Sequence, residues 1–414
     1  MLVQFVFVHP TTDVLRRVFK AFQYRDFRLM WIGACTSSVG TWMQQVAQAW
    51  LIYRLSHSAF LLALDPVLAT IPIFLFSLIG GVVADRVERR RILIASQYVQ
   101  MACAFLLTLL LWLHVVRVWH ILACSFVAGF AQAFGGPAYS ALIPTLVKKE
   151  DMPNAIALNS IQFNAAVMIG PAISAPVLAK FGEVWCFGLN GISFVAPIIA
   201  LSLLKIRFLP EKTTETVLGS MKEGVRFIRG QGAMAGLIIL AFAMTFLFIP
   251  MRTFLPIFAK VIFRQGPGTY AMFLSLSGMG SVVGALTIAS LGNMRHKGYV
   301  ALAALAALGC TAAVFGVSRS IPLSYVAVFF SGTAMMAVFA SVSSLVQLIV
   351  TNEMRGRVMS VYNFAFRGGM TMGNLMSGWL VPIFSAPLVV LVNGLLLIVL
   401  AGYFALAQRR VAEL

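Results

Sequence analysis

Charged residues are scarce in this sequence, and their scarcity excludes a water-soluble fold. Of the 414 residues only 11% are Asp, Glu, Lys or Arg, whereas 60% are hydrophobic and the mean hydropathy is +0.92. A soluble domain of this length needs far more charged surface. The hydrophobic residues come in blocks of about twenty or more, the length at which an α-helix crosses a hydrocarbon core. The sequence therefore predicts an all-α membrane protein.

Residue groupings that carry catalysis or bind metal are also missing. The five histidines fall at span ends or in connecting segments without metal-ligand spacing. No phosphate-binding loop, H-E-x-x-H or G-x-S-x-G pattern occurs. The five cysteines are odd in number, unclustered and inside apolar blocks, which indicates free packing residues. We therefore expect no catalytic residue, no metal site and no cofactor, so the protein is not an enzyme and an ATP-driven pump is disfavoured.

Acidic residues are especially few, 13 against 31 basic residues, which gives a formal charge of +18. Nearly all of the basic residues lie in short segments between apolar blocks, so we expect a lipid bilayer as partner and no nucleic acid. With the N-terminus inside, 23 Lys and Arg lie on the inner side and 6 on the outer side. The first residues lack a leading basic region and a cleavage pattern, so we expect no cleaved signal. These features predict a multi-pass protein of a bacterial inner membrane with both termini in the cytoplasm.

Twelve apolar blocks predict twelve transmembrane helices, and one long polar interval divides them into two sets of six. The segment Asp13–Arg25 is amphipathic and predicts a helix on the cytoplasmic surface. The predicted spans cover residues 28–53, 60–84, 92–114, 118–143, 154–180, 184–205, 236–262, 270–292, 299–317, 322–349, 358–384 and 386–408. The predicted domains are an N-terminal cytoplasmic segment (1–27), a first six-helix half (28–205), a cytoplasmic linker (206–235), a second six-helix half (236–408) and a cytoplasmic tail (409–414).

The two halves resemble each other at an offset of 203 residues, which places Gly170 onto Gly373 and Gly81 onto Gly284. Such matches indicate one six-helix unit used twice. Two parallel six-span repeats put a substrate site between them, near the middle of the bilayer.

The segment 80–91, GGVVADRVERRR, lies between the second and third spans. It resembles the G-x-x-x-D-R-x-G-R-R loop of the major facilitator superfamily, although Glu88 replaces one glycine and the second half lacks an equivalent aspartate. The resemblance implies a cytoplasmic latch on one conformational state, in which glycine allows close packing and the charged groups bind helix ends. The alternative is a charge cluster that only sets topology. The latch residues would be Gly81, Asp85, Arg86, Arg89 and Arg90.

Further stretches resemble the secretion-effector branch of that superfamily, which includes siderophore exporters and macrolide efflux pumps. They are Phe27-Arg28-Leu29, residues 41–50 (TWMQQVAQAW), 157–172 (ALNSIQFNAAVMIGPA) and 353–362 (EMRGRVMSVY). The resemblance implies two pseudo-symmetric six-helix halves that rock around a central cavity, in a monomer. It also implies export of a small amphipathic molecule, drug-like or siderophore-like, by proton-coupled antiport. A lysophospholipid flippase and a non-transporting membrane sensor are the alternatives.

Gly170 and Pro171 in the fifth span resemble the G-P-x-x-G-G motif of proton-coupled antiporters. Ser174 and Ala175 replace the two glycines at the end of that motif. Small residues let helices approach closely, and proline bends a span. Ordinary small-residue helix packing explains the same residues equally well.

Three charged residues lie inside predicted spans and away from the basic residues at the span ends: Asp65, Arg252 and Arg367. An ionised group in hydrocarbon costs several kcal/mol, from about 3 to above 10, so each needs a partner or a water-filled cavity. Asp65 is the candidate for proton coupling, since burial favours its neutral form. Alternatively, Asp65 and Arg252 pair across the outer ends of the halves as a gate. Arg367 lies deep enough to attract an anionic substrate. Structural pairing or snorkelling to an interface is the competing explanation for all three.

Amide side chains cluster in the first, fourth and fifth spans. The resemblance implies a central cavity lined by the first, fourth, seventh and tenth spans, so these amides would meet water or substrate. Hydrogen bonds between helices are the rival explanation. The amide candidates are Gln44, Gln45, Gln48, Gln132, Asn159 and Asn164.

Overall fold

The structure, a computed structural model, describes residues 19–204, 217–291, 296–351 and 353–408. Within these ranges the chain is helical and no strand is present. We call the end that holds Arg89 the predicted cytoplasmic end, and the end that holds His57 the predicted outer end. The first half comprises α1 (Arg25–Ser56), α2 (Ala59–Arg86), α3 (Arg89–Trp112), α4 (Val118–Leu142), α5 (Met152–Phe181), α6 (Glu183–Ser193) and α7 (Val195–Ser202).

A surface helix, α8 (Val217–Gly230), precedes the second half. It lies inside the predicted linker, whose first part is outside the described residues. The next span also begins earlier than predicted, at Gly232. The second half comprises α9 (Gly232–Thr253), α10 (Leu255–Ile257) with a π-helical turn (Phe258–Ile262), α11 (Pro267–Leu291), α12 (Lys297–Val317), α13 (Ile321–Ile349), α14 (Arg355–Phe384) and α15 (Ala386–Leu406).

Two of the predicted continuous spans are broken, and a proline follows each break. The sixth span divides at Phe194, and Pro197 cannot donate to the carbonyl four residues before it. The seventh divides at Phe254, two residues before Pro256. The missing hydrogen bonds leave the backbone free to bend at both points.

Ten segments of the described chain are long and apolar enough to cross a membrane. Helices α1 and α14 are not among them, because glutamines in α1 and arginines in α14 lower their hydropathy. Both nevertheless pack among the apolar spans, α1 against α5 and α14 against α9. Composition therefore supports ten of the twelve predicted spans, and the crossing of the bilayer by α1 and α14 stays a prediction.

The helices pack in the same pattern in both halves. In the first half α1 packs on α5 and α2 on α4; in the second, α9 packs on α14 and α11 on α13. Gly170 approaches α1 closely, and Gly373 approaches α9 in the same manner. The halves meet along two seams, α5 with α11 and α2 with α14. The prediction of two pseudo-symmetric halves is confirmed.

Apolar packing joins the two halves at the predicted outer end. One continuous core contains Trp50, Leu51 and Tyr53 of the first half together with Phe254 and Phe258 of the second. A second core, at the predicted cytoplasmic end, draws its described members from the first half alone. The outer ends of the halves are thus sealed together, whereas their cytoplasmic ends share no apolar core among the described residues.

Two contacts cross between the halves at the sealed outer end. Lys260 Nζ lies 3.5 Å from His57 Nε2 and 5.6 Å from the centre of the Tyr53 ring. Deeper in the seam, a Cβ atom at Gly378 of α14 would lie 2.6 Å from the Cβ of Ala63 in α2. The close approach of α14 to α2 therefore requires glycine at position 378.

Each half is preceded by a short surface segment that docks on its neighbour by a charged contact. The first, a 3₁₀ turn over Lys20–Gln23, lies in the predicted amphipathic segment, most of which is outside the described residues. Lys20 Nζ is 2.7 Å from Asp151 Oδ1, at the start of α5. Tyr24 Oη and Gln23 Nε2 donate to Asp151 Oδ2 over 2.8 and 2.9 Å. The contact with Asp151 raises the pKa of Lys20, chiefly through the hydrogen bond between them.

The second surface segment is α8, which docks on the start of α14. Glu223 forms an ion pair with Arg357, and a Cβ atom at Gly224 would lie 2.8 Å from the Arg357 carbonyl oxygen. Glu223 stands 203 residues after Lys20, and Arg357 stands 203 residues after Asn154, which accepts the Ala21 N–H over 2.8 Å. We call these contacts the N clasp (Lys20 on Asp151) and the C clasp (Glu223 on Arg357). They occupy similar places with the charges reversed, since Arg357 lies one helical turn after Met354, the residue equivalent to Asp151.

Candidate functional site

Asp65 lies in α2 immediately before Pro66 and is held by hydrogen bonds from two other helices. Gln48 Nε2 of α1 is 2.9 and 2.8 Å from the two carboxylate oxygens. Ser125 Oγ of α4 donates to Oδ1 over 2.5 Å. Gln48 Nε2 is also 2.9 Å from Ser125 Oγ. The carboxylate therefore accepts hydrogen bonds that link three helices of the first half. No cationic side chain among the described residues pairs with it.

The hydrogen-bond chain continues from Gln48 toward the sixth span. Gln44 Nε2 donates to Gln48 Oε1 over 3.3 Å, and Asn190 Nδ2 of α6 donates to Gln44 Oε1 over 2.6 Å. Gln48 and Asn190 are buried. Gln44 and Gln48 share one helix face, as their spacing predicts, because residues four apart meet on a helix. A change at the Asp65 carboxylate can thus be transmitted through α1 to α6.

Arg252 lies near the outer end of α9, partly buried, and does not pair with Asp65. Among the described residues its side chain forms no ion pair and no hydrogen bond. Tyr270 of α11, which is buried, lies within electrostatic range of both Arg252 and Asp65. The gate pairing between Asp65 and Arg252 is not formed in this conformation, because Gln48 and Ser125 bind the carboxylate instead.

Arg367 lies midway along α14 on the face that meets α2. Phe364, three residues before it, packs on Phe74 of α2 with ring centres 4.2 Å apart. Gly378, eleven residues after it and on the same face, packs on Ala63. The exposed, membrane-facing side chains of α14, such as Met376, lie on the opposite face. Arg367 is itself exposed and lies on the face of α14 that meets α2, beside the seam between the halves.

The remaining amides divide into exposed and bonded groups. Gln45 of α1 and Gln132 of α4 are exposed, and neither side chain has a hydrogen bond within the part of the chain that the structure describes. Asn159 accepts from Tyr139 Oη over 2.6 Å, which links α5 to α4. Asn164 Nδ2 donates to the Ser160 carbonyl of its own helix over 2.8 Å. Among these four candidate amides, Gln45 and Gln132 are therefore the two whose side chains make no hydrogen bond with the described residues.

The arginines of the segment 80–91 bind the carbonyl ends of helices within the first half. Arg89 Nη1 donates to the Ala141 carbonyl over 2.9 Å, at the end of α4. Arg90 Nη2 donates to the Ser202 carbonyl over 2.6 Å, at the end of α7. These carbonyls have no partner inside their helices and carry the negative end of the helix dipole, so a cation stabilises them.

The glycines of that segment differ from each other in environment. A Cβ atom at Gly80 would overlap the Ala133 carbonyl of α4, so this glycine permits α2 to pack on α4. At Gly81 no atom lies within 4 Å of an added Cβ. Arg86 is exposed, and the side chain of Asp85 lies outside the described part of the structure. Close packing of Gly81 against the other half is absent from this conformation.

Gly170 and Pro171 face α1 within their own half. An added Cβ at Gly170 would lie 2.5 Å from the Trp42 Cβ, and Ser174 Oγ donates to the Met43 carbonyl over 3.2 Å. The seam between the halves is formed instead by Gly278 of α11, whose added Cβ would lie 3.1 Å from the Met168 Cα. No sequence pattern pointed to Gly278, since isolated glycines are common in membrane helices.

The described residues contain no cluster of three or more His, Cys, Asp or Glu side chains suited to a metal ion. The candidate polar side chains are amides, hydroxyls, one carboxylate and two guanidiniums. Such a set binds a solute or a proton; it does not form a nucleophile and base pair.

Two parallel six-helix halves, sealed at one end and holding polar groups between them, define a transporter of the major facilitator type. The family model described as transmembrane secretion effector matches residues 17–413. The chain belongs to this family, as the resemblance of its motifs implied. It is therefore a membrane transporter that acts on small molecules, and not an enzyme.

Curated relatives in this family are efflux transporters. Macrolide efflux protein A of Streptococcus pyogenes is 21% identical, covering 85% of this chain and 88% of that protein. The multidrug efflux pump Tap of Mycolicibacterium fortuitum is 24% identical, over 84% and 88% of the two chains. The enterobactin exporter EntS of Citrobacter koseri is 24% identical, over 91% and 92%.

Solved structures show the same fold at low identity. A POT family transporter in complex with a thioalcohol-conjugated peptide superimposes with a TM-score of 0.76 at 11% identity, covering 94% of this chain and 97% of that one. The nucleoside transporter NupG gives 0.70 at 15% identity, covering 92% and 98%. These matches cover both halves of the molecule and support the major facilitator fold.

Proposed function

We propose that this protein exports a small amphipathic molecule, drug-like or siderophore-like, by alternating access coupled to proton entry. The observation that carries the proposal is the sealing of the halves at one end only, with the Asp65 carboxylate held between helices near that seal. A cavity open to the predicted cytoplasmic side is where an exporter takes up its substrate. The relatives, which are efflux proteins for macrolides, other drugs and enterobactin, support the same direction.

Asp65 is the proposed proton-binding group. The ionised carboxylate accepts hydrogen bonds from Gln48 and Ser125, which stabilise its negative charge. A protonated carboxyl would instead donate one hydrogen bond. Gln48 would then have to give up its hydrogen bond to one of the two carboxyl oxygens and repack against Gln44. Because Gln44 also binds Asn190, each protonation step would reorganise contacts among α1, α2, α4 and α6. Helix rearrangement and proton binding are thereby coupled.

The segment 80–91 is the proposed latch of the opposite conformational state. In the present state Arg89 and Arg90 bind carbonyls of their own half, and the surface at Gly81 is open. When the cytoplasmic ends close, Gly81, Asp85 and Arg86 at the end of α2 are the groups positioned to contact α14 across the seam. The proposal includes the halves 28–205 and 236–408 as the moving bodies, in a monomer with both termini in the cytoplasm of a bacterial inner membrane.

The test is transport in proteoliposomes with an imposed pH gradient. Ethidium and a catecholate siderophore serve as substrates, and Asp65→Asn is compared with the parent and with Glu183→Gln. Glu183 is a suitable control because it pairs with Arg54 over 3.0 Å at the outer end, away from the seams. We expect gradient-driven flux in the parent and the control, and its loss in Asp65→Asn.

Two outcomes would contradict parts of the proposal. Flux that is equal with and without the gradient, and unchanged by Asp65→Asn, removes proton coupling. Movement of a fluorescent lysophospholipid between leaflets, without flux of either soluble substrate, would make the protein a flippase. Binding without movement of any of these compounds would make it a sensor.

A further inference from the structure

Two arginines inside the predicted spans, Arg252 and Arg367, have no counter-ion among the described residues. Neither the Arg252 nor the Arg367 side chain makes an ion pair or a hydrogen bond with any residue that the structure describes. A cation within the membrane thickness is unfavourable unless water or an anion reaches it. Since ordinary structural arginines in this chain, such as Arg89 and Arg90, do bind carbonyls, the lack of partners sets these two apart.

The register of α9 on α14 gives the spacing of the two cations. Thr245 Oγ1 donates to the Phe366 carbonyl over 2.9 Å, and Thr253 Oγ1 donates to Asn374 Oδ1 over 2.9 Å. Arg252, one residue before Thr253, is therefore level with Gly373 of α14. Gly373 lies roughly 9 Å beyond Arg367 toward the predicted outer end, at 1.5 Å per residue. The two cations stand in series along the direction of transport.

The carboxylate available inside the described spans does not neutralise them. Asp65 belongs to the first half and accepts its hydrogen bonds from Gln48 and Ser125. Counting Asp65, Arg252 and Arg367 alone, the net charge is +1 with Asp65 ionised and +2 with Asp65 protonated. Aromatic rings flank Arg367, the cation nearer the predicted cytoplasmic end, since Phe364 packs on Phe74 at the adjacent turn. The site therefore offers cations beside apolar rings.

We propose that the substrate is an amphipathic aromatic anion, whose carboxylate, sulfonate or phenolate is bound first by Arg367 and then by Arg252. This inference rests on the proposed export function and narrows its substrate class. An arginine fork binds a planar or tetrahedral oxyanion through two hydrogen bonds, which a lysine does not reproduce. Entry begins at Arg367, which is exposed, and ends at Arg252, which is partly buried beneath the outer seal.

The test compares two dyes with the same ring system, 1-anilinonaphthalene-8-sulfonate and neutral N-phenyl-1-naphthylamine. Binding to the purified full chain in nanodiscs is measured by fluorescence titration, with empty nanodiscs subtracted. We expect Arg367→Gln and Arg252→Gln each to weaken sulfonate binding about tenfold or more, since a charge-assisted hydrogen bond is lost. Binding of the neutral dye should not change, and Arg367→Lys should lie between parent and Arg367→Gln.

Arg319→Gln is the matched control, because Arg319 is exposed in the loop before α13 and its guanidinium binds the Ser318 carbonyl at 3.1 Å. It should leave binding of both dyes unchanged. Thermal unfolding of every variant separates a lost binding group from a lost fold. Equal affinity of the parent for the two dyes, or equal weakening of both dyes by the arginine variants, would overturn the inference.

Flux of the same dyes separates failure of the inference from failure of the proposed export. If the neutral dye is exported as well as the sulfonate, export stands and the anionic substrate class is wrong. If the sulfonate binds through both arginines but neither dye moves across the membrane, the inference stands and the export function is wrong.

Discussion

At the scale of single residues, glycines set how closely the helices approach. Gly373 of α14 lies against α9, where an added Cβ would overlap the Phe246 carbonyl oxygen. Gly81 lies at the end of α2 with no atom within 4 Å of an added Cβ. The two residues have the same chemistry, yet only Gly373 is required by the packing seen here.

Gly373→Ala is expected to destabilise the protein by about 1–3 kcal/mol, because the methyl group must push α14 away from α9. Gly81→Ala should leave stability unchanged or raise it by up to about 1 kcal/mol, because alanine loses less entropy in a helix than glycine does. Thermal unfolding in detergent measures both. Equal stability of the two variants would contradict the contact at Gly373. Loss of transport in the stable Gly81→Ala variant would support the latch.

Helical spacing predicted some of the site residues, and tertiary packing added others. The shared face of Gln44 and Gln48 and the burial of Asp65 follow from the sequence, because a period of 3.6 residues places the glutamines together. Ser125 and Asn190 complete the network, but no local pattern points to them. A serine or an asparagine in a span gains its role only from the helix opposite, which sequence spacing does not reveal.

At the scale of helices, the N clasp holds the segment before α1 on the start of α5. We expect Asp151→Asn to weaken it, because Lys20 loses its counter-charge and Tyr24 a charged acceptor. Amide hydrogen exchange of residues 19–24 should become several-fold faster, since local opening becomes more frequent. Glu353→Gln is the control, because Glu353 is an exposed carboxylate just before α14 in the other half. Unchanged exchange in Asp151→Asn would show that apolar contacts alone hold the segment.

Helix positions followed from hydropathy, but helix continuity did not. The predicted spans and the observed helices agree to within a few residues for most of the chain. The breaks at Phe194 and Phe254 were not predicted, although Pro197 and Pro256 stand just after them. Proline also lies inside α2, at Pro66 and Pro72, without ending that helix. Whether a proline bends or breaks a membrane helix depends on whether neighbours satisfy the freed carbonyl.

At the scale of the whole molecule, the halves meet at contacts of two kinds. Ala63 and Gly378 touch near the sealed outer end, whereas Met168 and Gly278 touch midway along the α5–α11 seam. If the halves rock about the middle of the membrane, the first contact must separate during transport and the second need not. This difference can be tested by cross-linking.

At the same sealed end, His57 and Lys260 have their side-chain nitrogens 3.5 Å apart across the halves. A short bis-methanethiosulfonate cross-link between His57→Cys and Lys260→Cys should abolish transport, and a reductant should restore it. A disulfide between Met168→Cys and Gly278→Cys is the control and should leave most of the transport intact. An added Cβ at Gly278 lies 3.4 Å from the Met168 Cβ, close to the spacing a disulfide adopts. Both pairs require a background without the five native cysteines. Transport by the cross-linked 57–260 pair would contradict opening of the outer end.

The reversed charges of the two clasps have a consequence for assembly of a chain built from similar halves. If the segment before α1 reached the start of α14 by mistake, Lys20 would meet Arg357, and cation would oppose cation. If α8 reached the start of α5, Glu223 would meet Asp151, and acid would oppose acid. Like charges repel, so each surface segment docks favourably only on its own half. The opposite charges of the two clasps thereby direct each segment to the correct half of the duplicated chain.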